Sequence, residues 1–222
     1  MAELTLAQLK ASAKDYTKLI GGAPIPELYG VTDGKAVGTY VEQNFHLFLR
    51  DAYSYIPGSA ASGIDFPELQ VDLKVTSIKQ PQSSCPFRDA SQKVYGLGYD
   101  LLVLIYEKID DHENKGAILD FKHGVFVDRS KTADYQTTYG LKGILERGGN
   151  RDDIVAFLDE RNLPLDEIGR EQLADRILEE PPKLGYLTVS NALQWRLQYS
   201  RVIGLASALA VERPDGVENL LE

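Results

Sequence analysis

A carboxylate and an ammonium two residues apart are the first groups here suited to chemistry. Asp72 and Lys74 stand in Leu69-Gln70-Val71-Asp72-Leu73-Lys74-Val75-Thr76, where apolar and polar types alternate. Period-two alternation rich in β-branched residues predicts a strand, because successive side chains leave opposite faces. Leu69, Val71, Leu73 and Val75 then share one face, and Gln70, Asp72, Lys74 and Thr76 the other. Asp65 lies seven residues before Asp72, across a segment containing Pro67, and a tight turn would return it beside Asp72. Two carboxylates that close repel each other, and a hard divalent cation relieves the repulsion. Mg²⁺ held by one or two carboxylates, with water and phosphate completing its shell, is the usual arrangement in phosphoryl-transfer sites. The adjacent lysine would stabilise a hydroxide nucleophile or the pentavalent phosphate. An Asp-x-Lys pair alone more often marks the wet face of an alternating strand; the turn and an upstream helix give it weight.

The elements that must position these residues follow from the patterning. Residues 3–20 read as a helix ended by Gly21-Gly22, followed by a loop with Pro24 and Pro26. A second helix starts after Gly34, where Val37, Val41, Phe45, Phe48 and Leu49 recur at three- and four-residue steps. Pro57-Gly58 and the small residues through Gly63 form a flexible break, and Gln80 to Phe87, with Pro81 and Pro86, a loop. Leu101 to Glu107 suits a buried strand. Asp110 to Lys115 reads as a turn, and Ala117 to Phe121 and Gly124 to Val127 as two short strands. From about Asp134 the chain turns helical. Its longest expected helix spans Leu187 to Ala210, with Thr188 or Ser190 as N-cap and Pro214 ending it. The expectation is an α/β fold with a central sheet of about five strands. It is one domain over 1–222, with a core at about 30–130 and a helical part at about 134–213.

Composition narrows the function classes. The 222 residues are 43% hydrophobic and 26% charged, which excludes a disordered or fibrous chain. Cys85 is the single cysteine, which excludes a disulfide framework and a cysteine-based zinc site. His46, His112 and His123 are the only histidines, and none has zincin spacing. The longest apolar stretch, Val202 to Val211, is too short to cross a bilayer, and the N-terminus has no apolar core like a signal peptide's, so a cytoplasmic location is expected. A net charge of -9 argues against nonspecific coating of nucleic acid, though not against basic groups confined to one cleft.

The segment Asp65-Phe-Pro-Glu-Leu-Gln-Val-Asp72-Leu-Lys74 resembles the metal-site segment of the PD-(D/E)XK nuclease superfamily. It is most similar to the version in the methyl-directed mismatch-repair nicking endonuclease and its restriction-enzyme relatives, Asp-Phe-Pro-x-Leu-Gly-Val-Glu-Leu-Lys. Asp72 replaces a Glu there, and Ile64 replaces the proline of the superfamily's name. Those relatives carry Lys-Gly-x-x-Gly-x-x-x-Glu on a preceding helix; this chain has Gly34-Lys35-Ala-Val-Gly38-Thr-Tyr-Val-Glu42, with the first two residues exchanged. The two segments cover at most a quarter of the chain. The resemblance implies a restriction-endonuclease-like mixed sheet flanked by helices, and Mg²⁺-dependent hydrolysis of DNA phosphodiesters. Asp65 and Asp72 would hold the metal, joined by the Leu73 carbonyl. Lys74 would orient or deprotonate the water or hold the phosphate, and Glu42 would meet the metal's water or a second metal.

The leading expectation is a type II restriction endonuclease acting on double-stranded DNA, as a homodimer if it cuts both strands symmetrically. The alternatives are a repair nicking endonuclease and a non-catalytic DNA-binding protein on the same fold. Lys35, and Gln82, Ser83, Ser84 and Arg88 in the loop after the site strand, are candidates to touch DNA. Gln92 and Lys93 are candidates to reach phosphates, Lys93 also as an extra active-site lysine. His123 reads as structural or solvated, Cys85 as inert and Trp195 as core. Arg196 and Arg201 would lie on the long C-terminal helix, facing solvent, a partner or phosphate. Residues 151–180 hold ten acids against four arginines, which places them away from DNA.

Overall fold

A computed structural model describes residues 1–58, 63–85, 88–190 and 195–222. In chain order its first half holds β1 (Ala2–Glu3), α1 (Leu6–Ile20), α2 (Gly34–Arg50), β2 (Tyr53–Ser54), β3 (Val71–Ser77), β4 (Gln82–Ser84), α3 (Gln92–Tyr95), β5 (Asp100–Asp111) and β6 (Gly116–Val127). Then come α4 (Tyr135–Glu146), α5 (Arg151–Glu160), α6 (Glu167–Glu179), β7 (Thr188–Ser190), β8 (Arg196–Gln198), α7 (Ser200–Ala206) and β9 (Val217–Asn219). The central sheet runs β3-β5-β6-β9. β3 and β5 are parallel, and the other two pairings antiparallel. A second, antiparallel sheet runs β4-β8-β7. The fold is thus the expected mixed α/β arrangement, a mixed sheet flanked by helices, with four central strands among the described residues.

β5 organises the core because both its faces are covered. Leu102, Leu104 and Tyr106 pack with Leu73 and the α2 stripe Val37, Val41, Phe45 and Leu49. Leu101, Val103 and Ile105 pack on the other side with Trp195, Leu197, Tyr199 and Val202. Burial on both faces is why this strand reads as an unbroken apolar run. Capping fixes the two helices ahead of the site. Thr5 and Gln8 form a capping box on α1, and the Asp33 carboxylate accepts from the Lys35 and Ala36 amides to start α2.

Four expectations need correction. The residues expected as the longest helix instead form β7, β8 and the short α7, with 191–194 outside the described residues. The buried positions Leu187, Val189, Trp195, Leu197 and Tyr199 are all odd-numbered, a period-two pattern over short strands. Thr188 and Ser190 are strand residues rather than caps, and Pro214 opens the turn into β9, accepting from Val217 N at 3.2 Å. Helix therefore fills 134–180 and not the whole of 134–213. Second, β5 continues to Asp111, and the two short strands after it are one, β6. The register slips at Lys122, between the pairs Ile105–His123 and Tyr106–Phe121, so the polar interruption is a bulge. Third, the expected loop after the site strand contains β4, with 86–87 outside the described residues. Fourth, the site strand starts at Val71; Leu69 and Gln70 belong to the turn, Gln70 at φ 54°. The flexible break falls partly on 59–62, outside the described residues.

Candidate active site

The segment 65–71 folds back on the strand it precedes. Phe66 N donates to Val71 O at 2.9 Å and Val71 N to Phe66 O at 3.1 Å, while Gln70 N reaches Pro67 O at 3.2 Å. This closure sets Asp65 alongside β3, where its Oδ2 accepts from Leu73 N at 2.7 Å. Asp72 and Lys74 leave the same face of β3, with Asp72 Oδ2 2.7 Å from Lys74 Nζ. The Asp72 side chain is only 2% exposed. Its Oδ2 has that charge contact but no hydrogen bond of sound geometry, alone among buried side-chain polar atoms of the described residues. α2 crosses next to β3 and brings in Glu42, half-buried and hydrogen-bonded to Asp65.

One turn beyond Glu42, His46 completes the group. Single donor atoms of Glu42, His46 and Asp65 lie within 4.8 Å of one another. His46 stacks on Phe66 at 5.0 Å, and its Nδ1 is 2.7 Å from the Tyr55 hydroxyl. Metal-binding imidazoles are commonly oriented in this way through their second nitrogen. Composition and zincin spacing did not flag His46; the signal was Glu42 and His46 four apart, on one face of a helix.

Electrostatics show what the cluster lacks. Burial, reinforced by the charge of Asp65, pushes Glu42 up to about 7 against the pull of Lys74. Burial likewise pushes Asp72 up to about 7, opposed by Lys74 and reinforced by Asp65. Burial alone would lower Lys74, but Asp72, Asp65 and Glu42 outweigh it, so its pKa is raised and it stays an ammonium. Three carboxylates thus face one ammonium, and the buried Asp72 Oδ2 has only that ammonium's charge contact beside it. An oxygen-rich set of this kind, crowded enough to hold protons near neutrality, fits a hard divalent cation.

The cluster lies at an open cleft of about 800 Å³ whose lining includes Lys35, Gly38, Glu42, Lys74, Gln82 and Arg196. Of the residues singled out in the sequence, Glu42, Asp65, Asp72, Leu73 and Lys74 come together, and Lys35, Gln82 and Ser84 line the cleft. Ser83 also borders it, but its hydroxyl turns inward to the buried Tyr199 hydroxyl at 2.6 Å. Arg88 is exposed beside Gly63. Gln92 and Lys93 are not at the cleft: each is 5% exposed, Gln92 Oε1 accepts from Arg88 N, and Lys93 faces Asp134 with its pKa lowered by burial. Neither side chain lines the cleft, where the sequence reading expected them to meet phosphates. Trp195 is in the core as expected, while Arg196 sits on β8 at the cleft and Arg201 stacks on Tyr135 at 3.5 Å.

Comparison with known proteins gives the class. Residues 3–219 match a family of type II restriction enzymes. That family is NspV, and this chain belongs to it. The chain is 55% identical over 203 residues to the type II restriction enzyme NspV of Nostoc sp. (strain ATCC 29411 / PCC 7524), spanning 91% of this chain and 92% of that protein. No solved structure matches it. Among the described residues, no helix is long and apolar enough to cross a membrane.

Proposed function

We propose that this type II restriction enzyme cuts double-stranded DNA at a short sequence with the cluster on β3 and α2, using Mg²⁺ as its cation. The observation that carries the reading is the crowding of Glu42, Asp65 and the buried Asp72 around one lysine at the cleft, with Lys74 Nζ 2.7 Å from Asp72 Oδ2 as their shared cation. Asp65, Asp72 and the Leu73 carbonyl would hold the Mg²⁺, with Glu42 and His46 beside them. Such a cation, when bound, supplies Lewis acidity at the phosphate and lowers the pKa of a water. Lys74, kept charged by its carboxylates, holds a phosphate oxygen and orients the attacking water. Glu42, titrating near neutrality, is placed to take that water's proton. The match from Asp65 to Lys74 supports membership of the PD-(D/E)XK superfamily.

Lys35, Gln82, Ser84 and Arg88 are proposed DNA contacts. The chain acts as one nuclease domain, and as a homodimer whose two-fold axis places one cluster on each strand. The test is digestion of a long unmethylated DNA with Mg²⁺ and with EDTA, beside Lys74→Ala. Discrete Mg²⁺-dependent fragments, absent with EDTA and in the variant, are expected. Nicks without double-strand breaks, or cutting that survives EDTA, would overturn the proposal.

A further inference from the structure

One wall of the cleft beside the cluster is formed by β4 and by Arg196 of β8, which belong to the β4-β8-β7 sheet. Gln82 pairs with Gln198, and Gln198 with Thr188; Ser84 pairs with Arg196, and Arg196 with Ser190. Cross-strand partners point the same way, so these six side chains share one face. The row between them, Ser83, Leu197 and Val189, points into the core: Leu197 and Val189 are buried, and Ser83 meets Tyr199. The outer face carries hydroxyls, two amides and one guanidinium but no carboxylate, in a chain whose net charge is -9. Gln82, Ser84 and Arg196 line the same cleft as Lys74.

The sheet is also fixed to the site strand. Thr76, two residues after Lys74 on the same face, accepts from Gln82 N at 3.1 Å through its hydroxyl, which lies 3.1 Å from Gln82 O. Pro81 O accepts from Tyr199 N at 2.9 Å, and the buried Asp134 carboxylate from Val189 N at 2.8 Å. A two-stranded β ribbon, such as β4 paired with β8, fits the DNA major groove, where arginine matches the acceptor pair of guanine and glutamine the donor and acceptor of adenine.

We propose that the outer face of this sheet reads the bases of the DNA target, with Arg196 on a guanine and Gln82 and Gln198 on adenines. The proposal rests on the nuclease reading above and assigns its sequence selection to residues of β4 and β8. Because Thr76 ties β4 to the strand carrying Lys74, selection and cutting share one rigid frame.

The test is cleavage of a randomised duplex library by wild type, Arg196→Ala, Arg196→Lys and Gln198→Ala, with the cut ends sequenced and folding checked by circular dichroism. Loss of one bidentate base contact lowers cleavage at the wild-type sequence by roughly 5- to 150-fold. Arg196→Ala is expected to relax one position where the wild type demands guanine, and Gln198→Ala one where it demands adenine. Arg196→Lys is expected to lose less, since its ammonium still reaches a guanine acceptor. An unchanged target sequence in well-folded variants would overturn the proposal. So would a uniform loss at all sequences with a shallower salt dependence, which marks Arg196 as a phosphate contact. A wild type that cuts nothing would instead defeat the nuclease reading beneath it.

Discussion

Two acid-rich regions of this molecule behave in opposite ways. Along α5 and α6 the carboxylates lie at the surface, and arginines answer them: Arg151 meets Asp175 at 2.6 Å and Glu171 at 3.2 Å, and Arg170 meets Asp159 at 3.0 Å. Others cap helices, as Asp166 does for α6 by accepting from Gly169 N. Water and these partners leave little to gain from any further cation. On α2, β3 and the turn before it only three carboxylates are involved, but Asp72 is buried, Glu42 and Asp65 are half-buried, and all share one lysine. There one lysine compensates the charge only in part, and Glu42 and Asp72 are pushed up to about 7. Burial and compensation, and not the number of acids, separate a cation seat from a solvated face.

The contrast can be broken by substitution, and the largest effect belongs to the cluster. Asp72→Asn removes a cation-holding oxygen while keeping the shape, so cleavage at a mapped site should fall at least about a thousandfold in single-turnover assays. Loss of less than tenfold would remove Asp72 from the mechanism. Glu42→Gln should cost less, on the order of 100-fold, the low end for loss of a proton acceptor. Asp72 must ionise to hold the cation and a charged Glu42 beside it adds attraction, so wild-type Mg²⁺ affinity should drop as pH falls through about 7. A flat affinity between pH 6 and pH 8, measured by calorimetry at roughly one unit either side of that midpoint, would contradict the pKa directions.

The metal-free fold sharpens the same comparison. Asp72 titrates near 7 when folded against an ordinary 3.8, so its raised pKa favours the folded state below about pH 4, where it is protonated in both states. That favour fades as pH rises to about 7, and above it the burial penalty stands in full. Asp72→Asn should therefore raise the stability of the metal-free protein at pH 8 by about 1–3 kcal/mol in urea unfolding, and by nothing near pH 4. Asp65 and Glu42 remain as partners for Lys74, which limits any offsetting loss. The smallest effect is expected on the other face. Arg151→Ala should shift Tm by no more than about 2 °C, because its exposed pairs are well screened.

The candidate catalytic segment was legible in the sequence because two local signals coincide in it. Alternation placed Asp72 and Lys74 on one face, and the Pro67 turn brought Asp65 back beside them. The α2 stripe and the continuous run of β5 were legible for the same reason, since each buries one strong periodic pattern. The C-terminal strands were not, because β7 and β8 are three residues each and their apolar positions also fit a helix loosely. That error hid Arg196, which stands at the cleft only through cross-strand pairing with Ser84, more than a hundred residues earlier. Gln92 and Lys93 misled because an amide and an amine were read as solvent-facing, whereas Asp134 and the Arg88 amide supply their polar surroundings inside.

The most direct test of the central claim is thermal unfolding of wild type and Asp72→Asn at pH 8, each with EDTA and with millimolar Mg²⁺. A cation that binds only the folded cluster raises the unfolding temperature in proportion to its affinity. The expected result is a Mg²⁺-dependent rise for the wild type that is lost in Asp72→Asn, although the variant is the more stable protein in EDTA. An equal rise in both proteins, or none in the wild type, would contradict the cluster as the cation seat.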